Sequence, residues 1–369
     1  MKYVRMPIES ESPEQYGYNN IKCNLSESSF TDSIFRNLDI NINELILCYG
    51  NHLGKYELRE LIANENKNIL PENVLLTVGA ASALFIISTS LLEKDSHIIV
   101  LHPNYATNIE TPKAIQCNID YINLNFDEKF ELDIDLIKKK LKHNTKYISL
   151  TYPHNPTGKT LSLKKLEEII EIAEKNNVYI LYDETYRDMS FQETIPLAAD
   201  LSDKCISVSS LSKTYGLPGI RTGWIICKDK KLMELFLAAK EQIFICNSVI
   251  DEEIAYLFYL KKDKYLPDIK NKILNRFKIL KNWMNNNKYM EWVEPQGGVV
   301  AFPRIKKDID IDLEKFYFIL KEKYKTFVGP GHWFDMDKRY MRVGYGYPDE
   351  EELKEGLYNI EKSILETIY

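Results

Sequence analysis

The sequence predicts an α/β fold: a mostly parallel sheet covered by helices, in a chain of two unequal domains. Three observations predict it. At 369 residues the chain is too long for one small core and suits two. Its middle alternates short β-rich runs with helical patterns, the signature of strands joined by crossover helices. After about Asn247 the pattern changes to longer lysine-rich helices followed by shorter strands, which reads as a second domain completed by the N-terminal segment.

The elements follow in order. Val74–Val78 reads as a strand, and Gly79-Ala80-Ala81-Ser82-Ala83-Leu84 opens an apolar helical run. Ile98–Leu101, Tyr147–Tyr152, Val178–Tyr182 and Cys205–Ser209 are further strands, short and rich in β-branched or aromatic residues. Between two of them lies an amphipathic helix with Ser162 as its cap and Leu163, Leu166, Ile169, Ile170 and Ala173 on one face. Val299–Phe302 and Tyr340–Val343 are strands of the second domain. Linkers, repeats and low-complexity runs are absent.

Bulk properties exclude several classes. Hydrophobic residues at 44% and charged residues at 28% are ordinary globular composition, not disorder. With 48 basic against 54 acidic residues and a net charge of -6, there is no polyanion footprint, so no nucleic-acid partner is expected. Met1–Tyr16 is polar and lacks the apolar stretch of a secretory signal. The apolar run Ala83–Leu92 is too short for a bilayer and is broken by Ser88, Thr89 and Ser90. Six cysteines with no CxxC pair read as reduced thiols, so the expected location is the cytoplasm.

Polar residues follow the strands in a consistent way. His102-Pro103-Asn104-Tyr105, His154-Asn155-Pro156-Thr157-Gly158, Asp183-Glu184-Thr185-Tyr186 and Ser210-Leu211-Ser212-Lys213 each come directly after one. In open α/β sheets ligands bind beyond the carboxyl ends of the strands. That edge therefore collects an aromatic ring, an amide, a carboxylate, a phenol and a lysine.

An isolated lysine is a solvated surface charge. Lys213 differs by context: small hydroxyl residues precede it and Arg221 follows eight positions later. A lysine amine can form a Schiff base with a carbonyl cofactor, and Ser210 with Arg221 suits a phosphate dianion. Asp183 closes the apolar run Val178–Tyr182, so it is semi-buried and needs a cationic partner such as a protonated ring nitrogen.

The stretch from Ser210 to Gly223 resembles the lysine-attachment signature of class I/II aminotransferases, in the fold-type I group of pyridoxal-phosphate enzymes. Thr222 departs from the aliphatic residue usual there. The resemblance runs from about Asn24 to Gly346 and implies a large domain over 43–248 with a seven-stranded, mostly parallel sheet. It implies a smaller α+β domain over 1–42 and 249–369 that closes over the substrate. It implies pyridoxal 5'-phosphate held by Lys213, Asp183, Tyr186, Asn155, Ser210 and Arg221, with Tyr105 stacked on the ring. The helix start at Ala80 and Ala81 would offer amides to the phosphate. Tyr49, with Gly54 and Leu58-Arg59, is similar to the segment whose tyrosine reaches the phosphate of a neighbouring subunit, implying a homodimer with shared active sites.

The same resemblance assigns Arg342, in Arg339-Tyr340-Met341-Arg342-Val343-Gly344, to the substrate α-carboxylate, where a forked guanidinium fits better than an ammonium. Asn155 and Ser28, the latter in Asn24-Leu25-Ser26-Glu27-Ser28, are the other substrate contacts, and Gly329-Pro330-Gly331 before Trp333 and Phe334 resembles the substrate-facing loop. The implied reaction carries an amino group from an L-amino acid to a 2-oxo acid, with Lys213 as general base and then acid.

Side-chain specificity stays open. Dicarboxylate-specific relatives use a second arginine, but none occurs between Arg221 and Arg276, and Asn247 stands in the region where one is sought. Tyr16 and Tyr18 leave aromatic or polar side chains open. A pyridoxal-phosphate lyase, decarboxylase or cyclase would use the same residues. The Gly158-Lys159-Thr160 run is not a P-loop, because position 153 is Pro153 rather than glycine. A regulatory domain would carry a helix-turn-helix, for which the residues before Asn24 leave no room. His154 and His332 lack ligand spacing, so no metal is expected.

Overall fold

The computed structural model describes residues 1–369. Strands in chain order are β1 (Cys23–Leu25), β2 (Val74–Val78), β3 (His97–His102), β4 (Asn118–Asn123), β5 (Thr145–Thr151), β6 (Tyr179–Asp183), β7 (Cys205–Ser210) and β8 (Thr222–Ile226). The C-terminal third adds β9 (Met290–Glu291), β10 (Val300–Ala301), β11 (Arg304–Ile305), β12 (Thr326–Pro330) and β13 (Met341–Gly344).

Seven strands form one sheet in the order β2-β8-β7-β6-β5-β3-β4. Only β8 is reversed: its pairings with β2 and β7 are antiparallel, and the rest are parallel. The sheet is buried on both faces, which is why its strands read as continuous apolar runs. The two-residue period still sorts them. Ile99 and Leu101 of β3, Ile148 and Leu150 of β5 and Ile180 of β6 pack on the side of helix Leu163–Lys175, with its Leu166 and Ile169. Ile98, Val100, Tyr147 and Leu181 point the other way, against Leu84 and Ile87 of helix Gly79–Leu91 and Phe236 of helix Lys230–Phe244. Ser162 caps its helix as the sequence predicts, accepting from the Lys165 amide at 3.3 Å.

A second sheet runs β1-β12-β13-β10. Here β1 lies parallel to β12, with Cys23 opposite Thr326, so residues 303 positions apart share one ladder. Helix Glu350–Leu365 buries Leu353, Leu357, Ile360 and Ile364 in the core beneath this sheet. That core is continuous with Leu76 of β2 and Trp224 of β8, which ties the two sheets together. The predicted strand at Val299–Phe302 shortens to Val300–Ala301, and Tyr340–Val343 shifts by one residue to Met341–Gly344. No helix is long and apolar enough to cross a membrane.

Candidate active site

A cavity of ≈ 530 Å³ lies at the carboxyl edge of the large sheet, beneath the N-terminal segment. Ala80, Ala81, Tyr105, Asn155, Asp183, Tyr186, Ser210, Lys213, Arg221 and Ser28 all line it. Ten of the twelve residues singled out from sequence thus share one space, because parallel strands deliver their C-terminal loops to a common edge.

One end is built for an anion. Helix Gly79–Leu91 begins there, and the first amides of a helix have no partner within it. Gly79 has φ +74°, and a Cβ on it would stand 2.7 Å from Arg221 Nη2, so only glycine lets the guanidinium approach this backbone. Arg221 itself has a left-handed backbone and donates through Nη1 to Pro218 O at 3.0 Å and Ser212 Oγ at 3.5 Å. Ser210 and Ser212 hydroxyls complete the wall. Ser212 was not singled out from sequence; its place two residues after Ser210, beyond the strand end, was the available signal.

Further in, Asp183 is buried at the end of β6. Its Oδ1 accepts from Thr185 Oγ1 at 2.6 Å and Thr185 N at 3.1 Å, leaving Oδ2 without a hydrogen bond. Burial raises its pKa, while the Thr185 contacts and the Lys213 charge oppose the rise. Such a carboxylate suits a ring cation. Lys213 sits in the turn after β7; burial lowers its pKa, Glu27 pulls it back, and Arg342 and Arg221 reinforce the fall. A depressed ammonium pKa yields free amine closer to neutral pH. Glu184, behind Asp183, is 2% exposed and accepts from Ser207 Oγ and from Ala198 N at 3.0 Å. Burial pushes its carboxyl up to about 7, with Arg187 the main opposing influence. An unused carboxylate oxygen, an amine of lowered pKa and an anion cradle of Ser210, Ser212, Arg221 and a helix start in one cavity fit pyridoxal phosphate.

Two predicted residues, Tyr186 and Arg342, sit differently from expectation, and a third, Tyr49, lies outside this chain's own cavity as a residue expected to reach a neighbouring subunit would. Tyr186 gives its phenolic proton to Ser28 O at 2.7 Å, so in this conformation it anchors the N-terminal segment and has no proton left to donate to a cofactor oxygen. Arg342 lies behind the cavity wall: Nη2 donates to Ser26 O at 2.6 Å, Nη1 to Asn155 Oδ1 at 3.2 Å, and its buried Nε has no partner. The Phe334 ring lies 5.2 Å from its guanidinium. Tyr49 is 81% exposed and outside the cavity.

The Asn155 amide nitrogen, freed because Arg342 takes Oδ1, is the donor this residue has left for a ligand. Thr222 donates to Ile220 O at 3.0 Å, so the unusual hydroxyl is satisfied locally. Tyr18 lines the cavity, whereas Tyr16 packs on Phe327 with ring centroids 4.8 Å apart. Asn247 is buried away from the cavity with both polar atoms unpaired. Burial lowers the His154 pKa to about 3, and its Nδ1 pairs with Thr157 Oγ1 at 2.8 Å. Four carboxylates at the cavity mouth, Glu9, Glu14, Glu27 and Asp32, carried no sequence signal.

Comparison with known proteins gives a consistent picture. The model of the family Aminotransferase class I and II matches residues 20–360. An aspartate aminotransferase of Pyrococcus horikoshii is 29% identical over 328 residues, which is 86% of this chain and 83% of that one. The HTH-type transcriptional regulator NorG of Staphylococcus aureus is 28% identical over 333 residues, 87% of this chain and 73% of the regulator. Among solved structures, a PLP-dependent aminotransferase from Streptococcus suis superposes with a TM-score of 0.92 at 26% identity, covering 99% of both chains.

Proposed function

Because the chain belongs to the aminotransferase class I and II family, and is thereby a pyridoxal-phosphate-dependent transferase, we propose that it moves an amino group from an L-amino acid to a 2-oxo acid with Lys213 as its catalytic amine. The observation that carries the reading is the convergence of Lys213, Asp183, Asn155 and Arg221 on one cavity. Pyridoxal phosphate, when bound, supplies an aldehyde for the incoming amine and an electron-withdrawing ring for the electrons released at Cα.

The chain's own residues would divide the work. Arg221, Ser210, Ser212 and the amides of Ala80 and Ala81 would hold the phosphate. Asp183 would pair with the ring nitrogen, Tyr105 would cover a ring face, and Asn155 Nδ2 would meet the phenolic oxygen. Arg342, with Nε free, would take the substrate carboxylate after small shifts of Ser26 and Asn155. Lys213 would accept the Cα proton as a free amine and return it as an ammonium. Ser28 would lie over the substrate, held by Tyr186.

The two sheets support a large domain over 43–248 and a small one over 1–42 and 249–369. Ile46, Leu47 and Tyr49 are 77%, 73% and 81% exposed, and three large side chains so close together support a homodimer in which Tyr49 reaches the partner's site.

An absorbance titration tests the reading. The holoprotein should lose its visible band on adding an amino-acid donor and regain it on adding a 2-oxo acid. A band indifferent to oxo acids would point to lyase, decarboxylase or cyclase chemistry. Binding without any oxo-acid product would favour the regulatory role that the likeness to the transcriptional regulator NorG raises.

A further inference from the structure

The mouth of the cavity is acidic in a way the transfer reaction does not require. Five carboxylates line the space against two basic groups. Arg221 belongs to the anion cradle, Lys213 to the chemistry and Asp183 to the ring nitrogen. That leaves Glu9, Glu14, Glu27 and Asp32 unassigned, gathered from two short helices and from the loop after β1. The side-chain partners of the inner two are phenols, not bases: Tyr18 donates to Glu27 at 3.5 Å and Tyr347 to Asp32 at 3.3 Å.

A second observation points to a ligand at the same place. Ser28 and Ser29, beside Glu27, are 5% and 3% exposed and line the cavity, yet neither hydroxyl makes a hydrogen bond. Unpaired hydroxyls open to an acidic space are suited to N–H donors of a bound group. Burial also raises the Glu27 and Asp32 pKa values, with only Lys213 and Arg342 among the cations pulling Glu27 down. Carboxylates in such surroundings gain most from an incoming cation.

We propose that Glu9, Glu14, Glu27 and Asp32, with the Ser28 and Ser29 hydroxyls, form a side-chain subsite for a cation, so that the amino donor is an L-amino acid ending in a guanidinium or ammonium group. The inference deepens the aminotransfer reading and rests on it for where the donor's α-carbon lies. It also accounts for the missing distal arginine: an acidic side chain would meet four like charges, and that repulsion is itself a selector.

The test is a titration of the holoprotein with L-arginine and with L-citrulline, its uncharged isostere, followed both by the visible band and by calorimetry. A charge-assisted contact corresponds to about tenfold or more in affinity, so arginine should bind at least that much more tightly than citrulline. L-glutamate should bind more weakly than either. Glu27→Gln and Asp32→Asn should each narrow the arginine-to-citrulline ratio, and raising the salt concentration should do the same.

Equal binding of arginine and citrulline, or a ratio untouched in both variants, overturns the proposal. Should a variant melt early, the comparison of the two ligands on the unaltered protein decides alone. Should no visible band form with pyridoxal phosphate, the transfer reading falls, while the calorimetric preference still decides the subsite.

Discussion

Gly223→Ala probes how the anion cradle is built. Gly223 lies in β8, opposite Thr77 of β2 and Ser210 of β7. A methyl group there would stand 2.6 Å from the Gly79 carbonyl carbon and 2.7 Å from the Ala80 nitrogen, against 3.4–4 Å for ordinary contact. The helix start must therefore retreat by about 0.8 Å, the difference between 3.4 and 2.6 Å. Both contacted atoms are backbone, and β8 is pinned between two strands, so no side-chain rotation relieves the clash. Overpacking of this kind costs about 1–3 kcal/mol, and it falls on the amides that face the phosphate. The expected result is roughly tenfold to hundredfold weaker binding of pyridoxal phosphate, at about 1.4 kcal/mol per decade. The assay is fluorescence titration of apoprotein with the cofactor, alongside a thermal melt. Gly219→Ala is the control four residues earlier, in the turn Pro218–Ile220 that leads into β8, because a Cβ there meets nothing within 4 Å. Unchanged affinity in Gly223→Ala, or an equal loss in Gly219→Ala, would refute the reasoning.

Lys213→Ala should abolish turnover and borohydride-stable attachment of the cofactor, while the apoprotein melts no earlier than the unaltered chain, since a desolvated ammonium has been removed. Glu184 has a folded-state pKa raised to about 7 from 4.5, so its contribution to stability is fully present below pH 4.5 and is lost as pH rises through 7. Glu184→Gln keeps both accepted hydrogen bonds, and urea unfolding should show the variant losing about 3 kcal/mol less than the original between pH 4.5 and 7; parallel curves would show that Glu184 does not titrate there. Tyr186→Phe removes the donor to Ser28 O and should cost about 1 kcal/mol. Amino-acid affinity should drop in that variant, while the pH midpoint of the visible band stays in place; a shifted midpoint would mean that the phenol contacts the cofactor directly.

Much of the site was readable because its signals are local. Val74–Val78 is mostly apolar over one strand length and is followed by Gly79, and the structure keeps both bounds. Asp183 ends β6, Asn155 and Lys213 come within four residues of the ends of β5 and β7, and a parallel sheet carries such positions to one edge whatever lies between them. Tyr186 and Arg342 came from the resemblance to the family, which did not supply their hydrogen-bond partners. The Tyr186 proton goes to a residue 158 positions away, and Arg342 reaches one 316 positions away. No period or motif encodes such a pairing.

From sequence alone came the α/β class, the strand and helix order and the family's set of reactive residues, since each depends on a few neighbours along the chain. Tertiary structure alone decided that Glu9, Glu14, Glu27 and Asp32 share the cavity with Lys213, that Arg342 is gripped by Ser26 and Asn155, and that Tyr49 faces outward. The physical reason is that charge and burial act through space. A glutamate in a polar N-terminal segment looks solvated until the parallel pairing of β1 with β12 swings that segment over the sheet edge.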